Sequence, residues 1–188
     1  MNKIALLAVA ASAVIATPAM AQNVTGTINL TGSVANKCSV SPSSTATFGT
    51  TVNFGELAVA NGTLRTDLAT TFGTKSFQIV CNTGTPKISV DANPLQISGA
   101  TTPPTGYDNS IDFTASVAVA TTGTSPAPFT NDSAAAAGTA TTIGGGMLAN
   151  SASNVSVSTS NYRTNTLTDL LIADPSYTGN IVVVITPN

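Results

Sequence analysis

Cys38 and Cys81 are the two thiols of a chain that contains no histidine and no tryptophan. Without histidine there is no Ser-His-Asp or Cys-His pair, and the side chain most often used for proton transfer near neutral pH is missing. Two cysteines alone cannot close a four-ligand zinc site. The thiols form no Cys-x-x-Cys, so they have no evident redox context. What remains for them is a single disulfide, the alternative being two free buried thiols. The loop it closes spans about 43 residues, for which the loop-entropy model gives roughly 4 kcal/mol.

Other chemistry-bearing residues are sparse. Asp108 and Asp112 put two carboxylates close together but outside any EF-type loop. Gly144-Gly145-Gly146 lacks the Lys-Ser/Thr of a phosphate loop and reads as a turn. Glu56 has no evident carboxylate partner for acid-base work. Asn23, Asn29, Asn61, Asn131 and Asn154 each begin an Asn-x-Ser/Thr pattern, as chance provides in so Thr/Ser-rich a chain. We expect no enzyme, no cofactor and no metal.

The 188 residues include 7% charged residues, 6 Lys+Arg against 8 Asp+Glu, where about a quarter is usual. A net charge of -2 argues against a nucleic-acid partner held by phosphate contacts. Met1-Asn2-Lys3 opens with positive charge, Ile4 to Ala16 is an uncharged apolar run, and Ala19-Met20-Ala21 has the small-x-small pattern of a cleavage site. Residues 1–21 are therefore expected to be a secretory signal peptide. The exported chain would meet an oxidising compartment, which favours the disulfide. No later uncharged stretch is long enough to span a bilayer as a helix.

The elements that must position these residues read as strands. Thr, Ser, Asn and Gly dominate, and apolar residues recur at a spacing of two. Lys37–Val40, Thr51–Gly55, Ser76–Cys81, Lys87–Asp91, Ile111–Ala120, Asn154–Ser158 and Ile181–Ile185 are the expected strands. In Ser76–Cys81, Phe77, Ile79 and Cys81 fall on one face. Ile181–Ile185 is apolar on both faces, which predicts a central position in a buried sheet. The best helical candidate, Leu167–Ile172, amounts to a turn. Residues 121–152 read as long loops with one weak strand. Short alternating strands between Gly, Pro, Asn and Ser clusters predict an all-β antiparallel sandwich or barrel.

The segment after the cleavage site alternates without a break. Val24, Gly26, Ile28, Leu30, Gly32 and Val34 share one face, and Thr25, Thr27, Asn29, Thr31 and Ser33 the other. Such a strand either pairs within its own sheet or completes a neighbour's sheet by strand addition.

Gly32-Ser33-Val34-Ala35-Asn36-Lys37-Cys38-Ser39-Val40 resembles the opening of chaperone-usher pilus (fimbrial) subunits, where an alternating extension runs into a Cys-x-Val strand. Asn53-Phe54-Gly55-Glu56-Leu57 is similar to their next landmark, a Gly-x-Leu turn, and Phe77–Cys81 to the strand carrying the second Cys. Phe48-Gly49 with Phe54-Gly55 leans towards the archaic, spore coat protein U-like branch. The resemblance covers roughly 24–90 and returns weakly at 177–186.

It implies an immunoglobulin-like β-sandwich at 35–188 that lacks its last strand, with 22–34 as an N-terminal donor strand. Ile181, Val183 and Ile185 would edge the acceptor groove. The implied partners are a periplasmic chaperone, an outer-membrane usher and further copies of the subunit, added head-to-tail. The implied destination is the cell surface by way of the periplasm, for adhesion or biofilm. Two alternatives are a secreted, self-contained β-sandwich with a coat or adhesive role and a small outer-membrane barrel. The barrel is disfavoured by 5% aromatic residues, thin for two interfacial girdles.

Overall fold

The computed structural model describes residues 26–41, 49–99 and 102–188. Its strands are β1 (Cys38–Val40), β2 (Lys75–Phe77), β3 (Ile79–Cys81), β4 (Lys87–Ile97), β5 (Tyr107–Asp108), β6 (Ser110–Val119), β7 (Phe129–Asp132), β8 (Thr141–Thr142), β9 (Val155–Arg163), β10 (Leu170–Leu171) and β11 (Tyr177–Thr186). Among the described residues one helix, α1 (Leu68–Phe72), precedes β2. The fold is nearly all-β with antiparallel sheets; the short β5–β10 pair is parallel.

The alternation seen in the sequence sets which side chains are buried. In β6, Ile111, Phe113, Ala115, Val117 and Val119 are buried, and the residues between them are not. In β4, Ile88, Val90 and Ala92 do the same. The main path of strands runs β11-β4-β6-β9-β2, with β7 on β6 and β8 on β4. β4 meets β6 only at Leu95↔Ile111 and Gln96↔Ser110, and along most of its length pairs with β11. Apolar residues of β4 and β11 share one buried cluster with those of β6 and β9. The chain divides into two units between Val34 and Ala35; the core belongs to the second.

Cys38 and Cys81 form the disulfide, with an S–S distance of 2.08 Å. It joins directly opposed residues of β1 and β3.

Several elements differ from the sequence reading. β11 lies at the end of its sheet rather than in the middle, paired with β4 on one side. Its second apolar face is not buried by a layer: Val182 and Val184 are half exposed. Thr51–Gly55 forms no strand, because Gly55 takes φ 67° and the Asn53 side chain accepts from the Gly55 amide at 2.9 Å, turning the chain.

The expected strand at Ser76–Cys81 breaks at Gln78. β2 pairs with β9 and β3 pairs with β1, so the two halves serve different partners. Buried Asn154, just before β9, replaces the lost ladder: its Oδ1 accepts from the Ile79 amide at 2.8 Å, and its Nδ2 donates to the Ile79 carbonyl at 2.7 Å. Leu167–Ile172 opens as the expected turn, at 167–168, and then supplies the short strand β10, while α1 buries Leu68 and Phe72, one turn apart. Residues 121–152 hold two short strands, β7 and β8, and bury Ile143 and Leu148.

Candidate functional site

Among the described residues β11 pairs only with β4, and it borders an apolar groove. Its wider part has a volume of about 510 Å³. It is lined by Gly179, Asn180, Ile181, Val182 and Val183 of β11 and by Thr50, Thr51, Val52 and Phe54 of the irregular segment before α1. Phe72, Phe77, Phe113, Val157 and Tyr162 also line it. A narrower part, about 260 Å³, continues between β1 and β11, lined by Cys38, Ser39, Val40, Ile79, Val183, Val184 and Ile185. Val183 is common to both.

Elements of different kinds build these walls. The Tyr162 ring stacks on Phe113 at 5.4 Å and meets Phe54 edge-on at 5.8 Å, geometries that suit aromatic quadrupoles. Its hydroxyl donates to Thr159 Oγ1 at 2.9 Å, and burial pushes its pKa above the ordinary phenol value. Arg65 fixes the 54–56 wall by donating to the carbonyls of Phe54 at 3.2 Å and Glu56 at 2.5 Å. Asp67 holds Arg65 in turn, with two 2.8 Å contacts, and its carboxyl sits below the usual range because of them. Among the described residues Lys75 is the one charged side chain on the groove; its Nζ lies 5.5 Å from the Phe72 ring centre.

The sequence-predicted groove residues come together here. Ile181 and Val183 line the wide part, and Val183 and Ile185 the narrow one. The donor-segment residues lie in the other unit. Gly26, Ile28, Leu30, Gly32 and Val34 are exposed, at 87% for Ile28, 91% for Leu30 and 85% for Val34, and no strand is assigned to them. A Cβ added at Gly26 or Gly32 would meet nothing within 4 Å. Val24 lies outside the described residues.

Sequence reasoning missed the aromatic lining and the irregular wall at 50–54. Tyr162 falls beyond the strand predicted at Asn154–Ser158, and only the continued alternation of Val155, Val157 and Thr159 pointed further along. The Asp108 and Asp112 carboxylates are occupied by hydrogen bonds. Asp108 accepts from the Ser110 and Asn165 amides at 3.0 and 2.6 Å, and Asp112 from Ser133 Oγ at 3.0 Å. Among the described residues there is no cluster of three or more potential metal ligands, and no helix long and apolar enough to cross a membrane.

Compared with models of known families, with curated proteins and with solved structures, the chain matches none.

Proposed function

We propose that this chain is a structural subunit of a surface fimbria polymerised by donor-strand exchange, in which residues 22–34 of one copy fill the groove beside β11 of the next. The body would be an immunoglobulin-like sandwich that lacks its final strand. The observation that carries this reading is that β11, which among the described residues pairs only with β4, borders an apolar groove. A sheet edge with apolar lining beside it is an association site unless something covers it.

The covering group needs a row of backbone donors and acceptors and apolar side chains at every second position. Residues 24–34 have that pattern, and their apolar members Ile28, Leu30 and Val34 are exposed in the free chain. β11 has ten residues, about 33 Å of strand, and the thirteen of 22–34 reach about 43 Å, so one extension can cover the edge. Burying Val24, Ile28, Leu30 and Val34 would stabilise the joint by about 6–12 kcal/mol as an upper bound. That is comparable to the stability of a whole domain. Because the extension and the groove are different surfaces, the contact is heterologous and grows a filament when it does not close.

Before assembly the same edge would need a temporary partner. A periplasmic chaperone and an outer-membrane usher fill that role in this scheme, after export directed by residues 1–21. The test is a rearranged chain in which Gln22–Val34 follows Asn188 on a flexible linker. It should be a stable monomer that no longer polymerises, while the parent chain forms heat-resistant ladders. A parent chain that is a stable monomer without any chaperone would instead identify a self-contained β-sandwich and overturn the proposal.

A further inference from the structure

Strand β9 carries an extra residue where it passes the groove. Its register with β6 runs Thr114↔Ser160 and then Asp112↔Arg163, so Asn161 and Tyr162 stand together opposite Phe113. Two residues facing one make a β-bulge. Asn161 takes φ 54° and, among the described residues, is the one non-glycine residue with positive φ. A left-handed first position is the form of bulge that ordinarily uses glycine, and asparagine tolerates that region better than most side chains. Its Nδ2 donates to Thr114 Oγ1 on the strand alongside, at 3.3 Å.

The extra residue changes which side chains face inward. Val155, Val157 and Thr159 are buried, at every second position. Continued without interruption, that alternation would bring Asn161 and Arg163 to the same face. Past the bulge, Tyr162 takes that face instead. Its ring stacks on Phe113 and lines the wide cavity, with its hydroxyl on Thr159. Arg163 pairs with Asp132 of β7 at 2.6 Å, and neither Asn161 nor Arg163 lines the cavity.

We infer that the Asn161 bulge is a positioning device for the groove: it turns an aromatic ring towards the occupant and keeps a guanidinium away from it. The role towards an occupant rests on the donor-strand reading. The segment 22–34 contains no carboxylate, so it could not neutralise Arg163. A charge left unpaired beneath a bound strand is costly to bury. Asn161 is a positioning residue in this scheme: it lies outside the cavity and acts through the direction it gives Tyr162 and Arg163.

Changes of chain length within β9 test the device. Deleting Asn161 alone leaves Ser160 opposite Thr114, Tyr162 opposite Phe113 and Arg163 opposite Asp112, an unbroken ladder with the same inward face. Deleting Ser160 and Asn161 together reverses the faces of Tyr162 and Arg163. NMR of ring-labelled tyrosine follows the phenols separately, with Tyr162→Phe to identify the signal. Tyr162 should ionise above the ordinary phenol range in the parent, in the single deletion and in Asn161→Gly, where glycine takes the left-handed region freely. In the double deletion it should ionise near the ordinary value of about 10. A synthetic peptide of residues 22–34 should bind the first three chains alike and the double deletion roughly tenfold more weakly, the worth of one lost aromatic contact. A Tyr162 that returns to the ordinary value in the single deletion, or stays raised in a folded double deletion, would overturn the assignment. Should the double deletion not fold, the single deletion and Asn161→Gly decide alone. A parent chain that binds no peptide would remove the donor-strand reading, while the phenol titrations still decide the bulge.

Discussion

Replacing Ile28 with alanine separates assembly from folding more cleanly than any change in the core. Ile28 is 87% exposed in the free chain, so it contributes almost nothing to the stability of the subunit that carries it. Seated in a neighbour's groove it would be buried. Ile28→Ala removes three methyl or methylene groups, worth about 0.8 kcal/mol each on burial. Scaled by the exposed fraction, the loss is about 2.1 kcal/mol, or roughly 30-fold in affinity. Thr27→Ala, on the opposite face, should cost less than about 0.5 kcal/mol.

The assay uses synthetic peptides of residues 22–34, native and substituted, titrated into the purified monomeric chain by calorimetry. Thermal melts of the subunit variants run alongside, since a peptide that binds only the folded form raises the midpoint by mass action. The expected pattern is a roughly 30-fold weaker Ile28→Ala peptide, a near-native Thr27→Ala peptide and unchanged melting of both subunit variants without peptide. Equal weakening of the two peptides would refute the face assignment. A lowered melting point for the Ile28→Ala subunit alone, with binding intact, would mean that Ile28 packs on its own domain.

Other expectations concern the body that forms the groove. Asn154→Ala leaves the Ile79 amide and carbonyl without their side-chain partners and should cost about 3 kcal/mol or more in urea unfolding, whereas an exposed change such as Asn165→Ala should be near neutral. Opening the Cys38–Cys81 bridge with reductant, or by paired Cys→Ser substitution, should lower unfolding stability by roughly 4 kcal/mol. Arg163 holds Asp132 below the usual carboxylate range through a 2.6 Å ion pair. A lowered folded pKa means stability that is present above about pH 4 and lost as the pH falls through the folded value. Both side chains are about a third exposed, so Asp132→Asn should cost only about 0.2–1 kcal/mol at neutral pH and progressively less in acid. Tyr162 titrates in the opposite sense: its folded pKa is raised by burial, so its contribution is complete below about pH 10 and fades as the pH rises through the folded value. Bound peptide covers the phenol further, and ultraviolet titration should then find it ionising at still higher pH.

The strands that alternate cleanly were legible in the residues alone, because a period of two fixes which side chains face inward whatever the partner is. Ile111 to Val119 and Ile88 to Ala92 are buried as their spacing requires. The disulfide was also legible, since two thiols in a chain expected to be exported leave few choices, and the apolar alternation of 24–34 was the basis for expecting strand pairing there. Pairing was not legible. That β11 sits at an edge, that Gln78 interrupts a strand whose halves join different neighbours, and that residues 50–54 form a wall rather than a strand all depend on contacts between residues far apart in the chain. An apolar run carries no record of whether its second side is covered by a layer or left open. Only the packed structure decides that, because backbone hydrogen bonds are satisfied by whichever segment the fold brings alongside.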